Sequence, residues 1–230
     1  MGFLKDTEVE DREVIESLQK LKNRLVKEYS RKIPGVPEIV WKVRSVYQCL
    51  IRRIIDAADS VRISWSANNM LATVTMARSL FETVAVIRHM RDAIKEAIET
   101  KSIENLDKEV MQIVFAARHK FFSQRKGAQR AKNITATIDL MEESLYGKNV
   151  GKLRDSYGFL SEAVHPNHLG TIYLYSEPDP DLSMRFGVTK EKRDFVFSQI
   201  HLALGMIWFA EMSIEYIESV MPAFGELVAK

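Results

Sequence analysis

Apolar positions in this chain recur mostly at steps of three and four, the period of an α-helix with one buried face. Val14, Leu18, Leu21 and Leu25 follow that rule behind Thr7 and Glu10, which have capping-box spacing, so a first helix is predicted to about Tyr29. The stretch IPGVP ends it. Pro37 then suits the first turn of a second helix, whose stripe is Ile39, Val43, Val46, Leu50 and Ile54 and which reaches about Asp59. A third helix is predicted from near Trp65 to about Glu99, nearly uncharged as far as Ile87 and strongly charged beyond. Its first half is therefore expected to be buried on all sides. Ser102 caps a fourth helix that turns Val110, Ile113, Val114 and Ala117 inward, with Phe121 and Phe122 beyond it. Two shorter helices follow, over about 132–145 and 150–164, on either side of YGKNVG.

The period changes once. TIYLYS and SMRFGV alternate or run apolar around EPDPDL, a loop rich in Pro and Asp, so a small β-hairpin is predicted near 171–188. Thr189 caps a last long helix that ends near Pro222. With no internal repeat and no long linker, the expected fold is an all-α bundle of about seven helices with one hairpin. It forms a single domain over 1–230, in which residues 1–60 read as a separable N-terminal helical arm.

Composition narrows the setting. A chain of 230 residues, 46% hydrophobic and 28% charged, can bury a full core without staples. Its single cysteine, Cys49, lies in an apolar helix stripe, which excludes an intrachain disulfide and fits a reducing, cytoplasmic setting. Charges begin at Lys5, so no signal-peptide core is read at the start, and Asp6 stands where myristoylation wants Ser or Thr. The two long apolar segments, 63–87 and 195–210, carry Asn68, Asn69, Arg78 and Glu82, and Ser198, Gln199 and His201; they read as core helices, and no membrane partner is expected. The net charge of +2 selects no partner, but its distribution is uneven. Residues 118–132 hold six Lys or Arg and no acid. Arg118, Lys120, Arg125, Lys126, Arg130 and Lys132, interleaved with Phe121 and Phe122, suit phosphate neutralisation and base stacking on single-stranded nucleic acid, as well as a plain solvated helix end.

Candidate chemistry centres on two helices. Arg78 and Glu82 are the only charged residues between Ile63 and Arg88, and their i,i+4 spacing puts them on one helix face as an ion pair. Such a pair fixes helix register or lines a pocket. In SYGFLSEAVHPNHLG, residues 156–170, Tyr157, Ser161 and His165 recur at steps of four, and Pro166 forces the helix to end there. An imidazole at a helix C-terminus favours its protonated form and suits a proton donor, or else hydrogen-bonds within a structural cluster. Glu162 and His165 have the Glu-x-x-His spacing of di-iron helices, but the chain holds no second copy, which leaves a single-metal site on Glu162, His165 and His168 as an alternative. No Gly-x-Ser-x-Gly elbow, phosphate loop or dinucleotide fingerprint is present, and no cofactor is expected.

Arg193, Asp194 and His201 in RDFVFSQIH fit a pattern of Arg, a polar residue, a spacer and His. Together with the all-α pattern, the basic segment and the missing catalytic signatures, this resembles the HEPN superfamily of small helical domains. The resemblance implies metal-independent RNA cleavage or RNA binding in a bacterial toxin or phage-defence setting, and action as a homodimer with paired sites. It also implies that His201 lies at a pocket or dimer interface rather than in the core. A closer likeness, carried by ARSLFE at 77–82 and YGFLSEAVHPN at 157–167, is to uncharacterised bacterial helical proteins that pair such helices. It implies a shared polar cluster and moves the expected site to Arg78, Glu82, Tyr157, Ser161 and His165. On the RNA reading, His165 or His201 is the acid/base group, an Arg stabilises the transition state and residues 118–132 hold the backbone. The alternative is a noncatalytic interaction module in which the polar cluster is a buried network.

Overall fold

Glu38–Ser66 (α2) and Met70–Thr100 (α3) are the two central helices, and only residues 67–69 join them. The predicted break near Asp59 is absent. Helix α2 runs on to Ser66, where Asn68 takes the left-handed conformation at φ 56° and the Asn69 side chain accepts the Ala72 N–H at 3.1 Å to start α3. Asparagine is suited to both tasks, so the chain turns at ANN and not at the earlier charged positions. The hydroxyls of Ser64 and Thr73 lie 3.0 Å apart, buried, and tie the two helix ends together.

The computed structural model describes residues 10–28, 37–115, 133–148, 150–179, 181 and 183–228. Among them the remaining elements are α1 (Glu10–Asn23), α4 (Glu104–Phe115), α5 (Ile134–Tyr146), α6 (Lys152–Ala163), a π-helical turn (His168–Tyr173), β1 (Ser176–Pro178), β2 (Met184–Phe186) and α7 (Lys190–Val228). The fold is an all-α bundle with one two-stranded hairpin. Thr7, Tyr29 and the basic segment 118–132, with Arg118, Lys120, Arg125, Lys126, Arg130 and Lys132, lie outside the described residues.

The core is built where α2, α3 and α7 meet. Helix α3 contributes Leu80, Phe81, Val84, Ile87, Met90 and Ile94, and α7 answers with Val196, Ile200, Leu204, Ile207 and Ile214, all buried. By length and composition both helices could cross a membrane, and both are the ones whose apolar faces form this core. Thr189 caps α7, accepting the Lys192 N–H at 3.4 Å. The helix does not end at Pro222 but passes through it. Pro222 is exposed, so the carbonyl that loses its N–H partner there can turn to water.

Helix α1 ends at Asn23, earlier than its apolar stripe suggests, because a side chain of α2 takes over the backbone just beyond it and α7 holds its last side chains. Gln48 of α2 accepts the Val26 N–H at 3.0 Å and donates to the Arg24 carbonyl at 2.9 Å. Arg24 reaches Glu211 at 3.1 Å and Glu218 at 3.1 Å on α7, and Lys20 stands 3.5 Å from the other oxygen of Glu211. Leu18 and Leu21 are buried beneath this clamp.

Three further expectations are corrected. Ser102 does not cap α4; its N–H donates to Ala97 O at 3.1 Å and closes the end of α3, while α4 starts with Asp107 N–H on Ile103 O at 3.0 Å. Cys49 is exposed, because the inward stripe of α2 runs through Tyr47, Ile51 and Ile54. TIYLY is not a strand. Asn167 starts a π-helical turn there, and the hairpin shrinks to two three-residue strands that pair Ser176 with Phe186 and Pro178 with Met184.

Candidate functional site

The predicted polar cluster forms in part, between α3 and α6. Arg78 Nη2 lies 3.0 Å from Glu82 Oε1, and the Tyr157 hydroxyl donates to that same oxygen at 2.9 Å. The Arg78 guanidinium also stands 5.8 Å from the centre of the Tyr157 ring, whose edge packs on Phe81. Burial works to lower the Arg78 pKa, but the Tyr157 hydroxyl and the Glu82 charge outweigh it and hold the guanidinium above its ordinary value. The side chains remain 33% and 29% exposed, so this is a half-sheltered pair and not a sealed one. Two atoms nearby on these helices, Arg78 Nε and Ser161 Oγ, are buried without a hydrogen-bond partner among the described residues.

His165 does not join them. Helix α6 ends at Ala163, so the step of four from Ser161 falls beyond the helix and the imidazole is exposed. The residues after it form a tight turn with its own logic. Asn167 Oδ1 accepts the Gly170 N–H at 2.9 Å, and its Nδ2 donates to Glu162. A Cβ on Gly170 would lie 2.0 Å from the His165 carbonyl oxygen and 2.8 Å from that of Ala163, so only glycine allows this approach. Glu162 and His168 are both exposed. No three His, Cys, Asp or Glu side chains among the described residues gather at metal-binding spacing, so the set Glu162, His165 and His168 is not assembled.

Arg193 and His201 share one face of α7, but Phe197 separates them. The Arg193 guanidinium lies 4.1 Å from the centre of the Trp65 ring and donates to Asn68. Trp65 packs on Phe197 at 5.6 Å, and His201 stacks on Phe197 at 5.8 Å. Asp194 is exposed. His201 then lines a cleft of about 620 Å³ between α1, α6 and α7, whose walls include Glu13, Lys152, Asp155, Ser156, Gln199 and Trp208.

That cleft is where sequence reasoning missed residues. Ser156 is buried and donates its hydroxyl to Gln199 Oε1, while Gln199 Nε2 donates to Ser198 at 3.1 Å. Trp208 is 45% exposed, although it sits in an apolar run that reads as core throughout. The only sequence signal was the step Gly205, Trp208, Met212 on one face of α7. Glu142 of α5 was also missed. Buried, it accepts the N–H groups of Leu153 at 2.8 Å and Arg154 at 3.3 Å, and so occupies the N-terminus of α6 beside the cleft. Arg154 itself turns away to Asp139, where one guanidinium nitrogen, Nη1, donates to both carboxylate oxygens at 2.8 and 2.7 Å.

A second cleft of about 530 Å³ lies between α3, α4 and α5, where His89 Nε2 meets Glu109 Oε2 at 2.8 Å. Comparison of the chain with family models, with curated proteins and with solved structures finds no match in any of the three.

Proposed function

We propose that this protein is an HEPN-like, cytoplasmic RNA-binding protein of a bacterial defence or toxin system, acting as a homodimer, with the His201 cleft as its RNA site. The observation that carries the reading is the position of His201. It lines a cleft, in keeping with the pocket position that the HEPN resemblance implies for it, and an exposed tryptophan stands in the same lining, whereas His165 lies on an outer turn. Backbone neutralisation falls to the six cations of residues 118–132, because the cleft lining holds two carboxylates, Glu13 and Asp155, beside the single cation Lys152. Strand cleavage, on this reading, is metal-independent acid–base chemistry in which His201 takes the proton of a ribose 2′-hydroxyl as that oxygen bonds to the adjoining phosphorus and the 5′-oxygen leaves with a proton from water, the phosphate charge being met by the basic segment. Arg193, engaged by Trp65 and Asn68, supports the aromatic wall beneath His201 and does not touch phosphate.

Labelled single-stranded and structured RNAs, incubated with and without EDTA, test this. EDTA-insensitive binding or cleavage that His201→Ala weakens and His165→Ala leaves alone is the expected result. Loss in His165→Ala with full activity in His201→Ala would move the site back to α6. A second, noncatalytic reading is favoured by one observation: Arg78 and Tyr157 share the Glu82 carboxylate across the α3–α6 joint, as a network that fixes the bundle would.

A further inference from the structure

The charges of the His201 cleft do not suit a sugar-phosphate backbone. Among the described residues that line it, Glu13 and Asp155 face a single Lys152, so a phosphate inside would meet more repulsion than attraction. The uncharged walls suit a flat heterocycle. Trp208, 45% exposed, stands in the lining, and every base has a face to stack on an indole, purines the largest. Gln199 offers an edge. The buried Ser156 hydroxyl donates to Gln199 Oε1 and Ser198 takes one hydrogen of Nε2, which fixes which end of the amide donates. Among the described residues no partner takes the second lone pair of Oε1 or the second hydrogen of Nε2, so both remain for a ligand.

That donor and acceptor pair matches the amide-type reading of a base that presents an N–H beside a ring nitrogen. The two carboxylates then separate one base from another, since a carboxylate accepts hydrogen bonds. A base with an exocyclic amine brings a further hydrogen toward them; uracil brings carbonyl oxygens. We propose that the cleft is a base pocket for an amino-bearing purine such as adenine, stacked on Trp208 and read by Gln199, with the phosphates held outside. The adenine belongs to an unpaired RNA residue or to a free nucleotide, and the inference rests on the proposed RNA reading only for the first of these.

Uncharged nucleosides and short labelled oligonucleotides separate the two. Adenosine is expected to quench the Trp208 emission, a change absent from Trp208→Phe, and uridine at the same concentration is not. Oligoadenylate is expected to bind about tenfold tighter than oligouridylate, the discrimination of one good two-point base contact. Gln199→Glu keeps the acceptor for Ser156 but loses the N–H that the purine ring nitrogen takes, so it should weaken oligoadenylate about tenfold. Trp208→Ala, a surface change, should weaken both oligomers. Adenosine binding without any RNA binding would sustain the pocket and overturn the RNA reading. Equal binding of both oligomers, unchanged in Gln199→Glu, would overturn the pocket and leave the RNA reading standing. No binding of either nucleoside with either oligomer overturns both.

Discussion

Gly170 shows how much one residue can carry. Any side chain there would press its first carbon on two backbone carbonyls, which cannot swing away as a flexible side chain could. Gly170→Ala should therefore cost about 3 kcal/mol, the upper part of the usual overpacking range, read as a lowered urea midpoint. A neutral substitution would show that the turn is not built as described. His165, exposed at the same turn, should tolerate alanine within about 0.5 kcal/mol. Glu82 should not: its removal strips Tyr157 and Arg78 of their shared acceptor, for about 1–3 kcal/mol in the same assay. The sequence made Arg78 and Glu82 legible because both lie within one unbroken helix. It misassigned His165 because the helical step was carried past the last helical residue, and it passed over Gly170 because the demand for glycine comes from a carbonyl five residues away.

The elements were legible in number and order, since the helical period survives any small error at the ends. Their boundaries were not, where the stop signal came from elsewhere. Gln48 ends α1 from α2, and Ala97 claims Ser102 for α3; neither event has a local signature. The clamp on α1 has a measurable strength. Glu211 is only 3% exposed, and Arg24→Ala would leave it, among the described residues, with Lys20 at 3.5 Å. Breaking a buried pair by removing one partner costs about 3–5 kcal/mol, and the remaining lysine should reduce this to about 2–3 kcal/mol. The loss should appear in chemical denaturation, together with faster amide exchange in α1 than in α2. Unchanged stability would mean that α1 is held by Leu18 and Leu21 without help from the ion pairs.

At the scale of the molecule, the all-α class with one hairpin followed from periodicity, but the cleft could not. Glu13, Asp155 and His201 come from helices far apart in the chain, and only packing brings them to one wall. Trp208 illustrates the same limit: an indole in a long apolar run reads as core until the partner helices are seen to leave it half uncovered. The RNA reading predicts a division of labour between the basic segment, which sets salt sensitivity, and the cleft, which sets base contact. Affinity should fall steeply as salt rises, on the order of one factor of ten or more between low and physiological ionic strength. Anisotropy titration of a labelled single-stranded RNA against wild type, His201→Ala, Trp208→Ala and His165→Ala, repeated over a salt series, tests that division directly. The account predicts salt-steep binding that the two cleft variants weaken about tenfold and His165→Ala leaves unchanged; no binding at low salt, or equal binding by all four proteins, would contradict it.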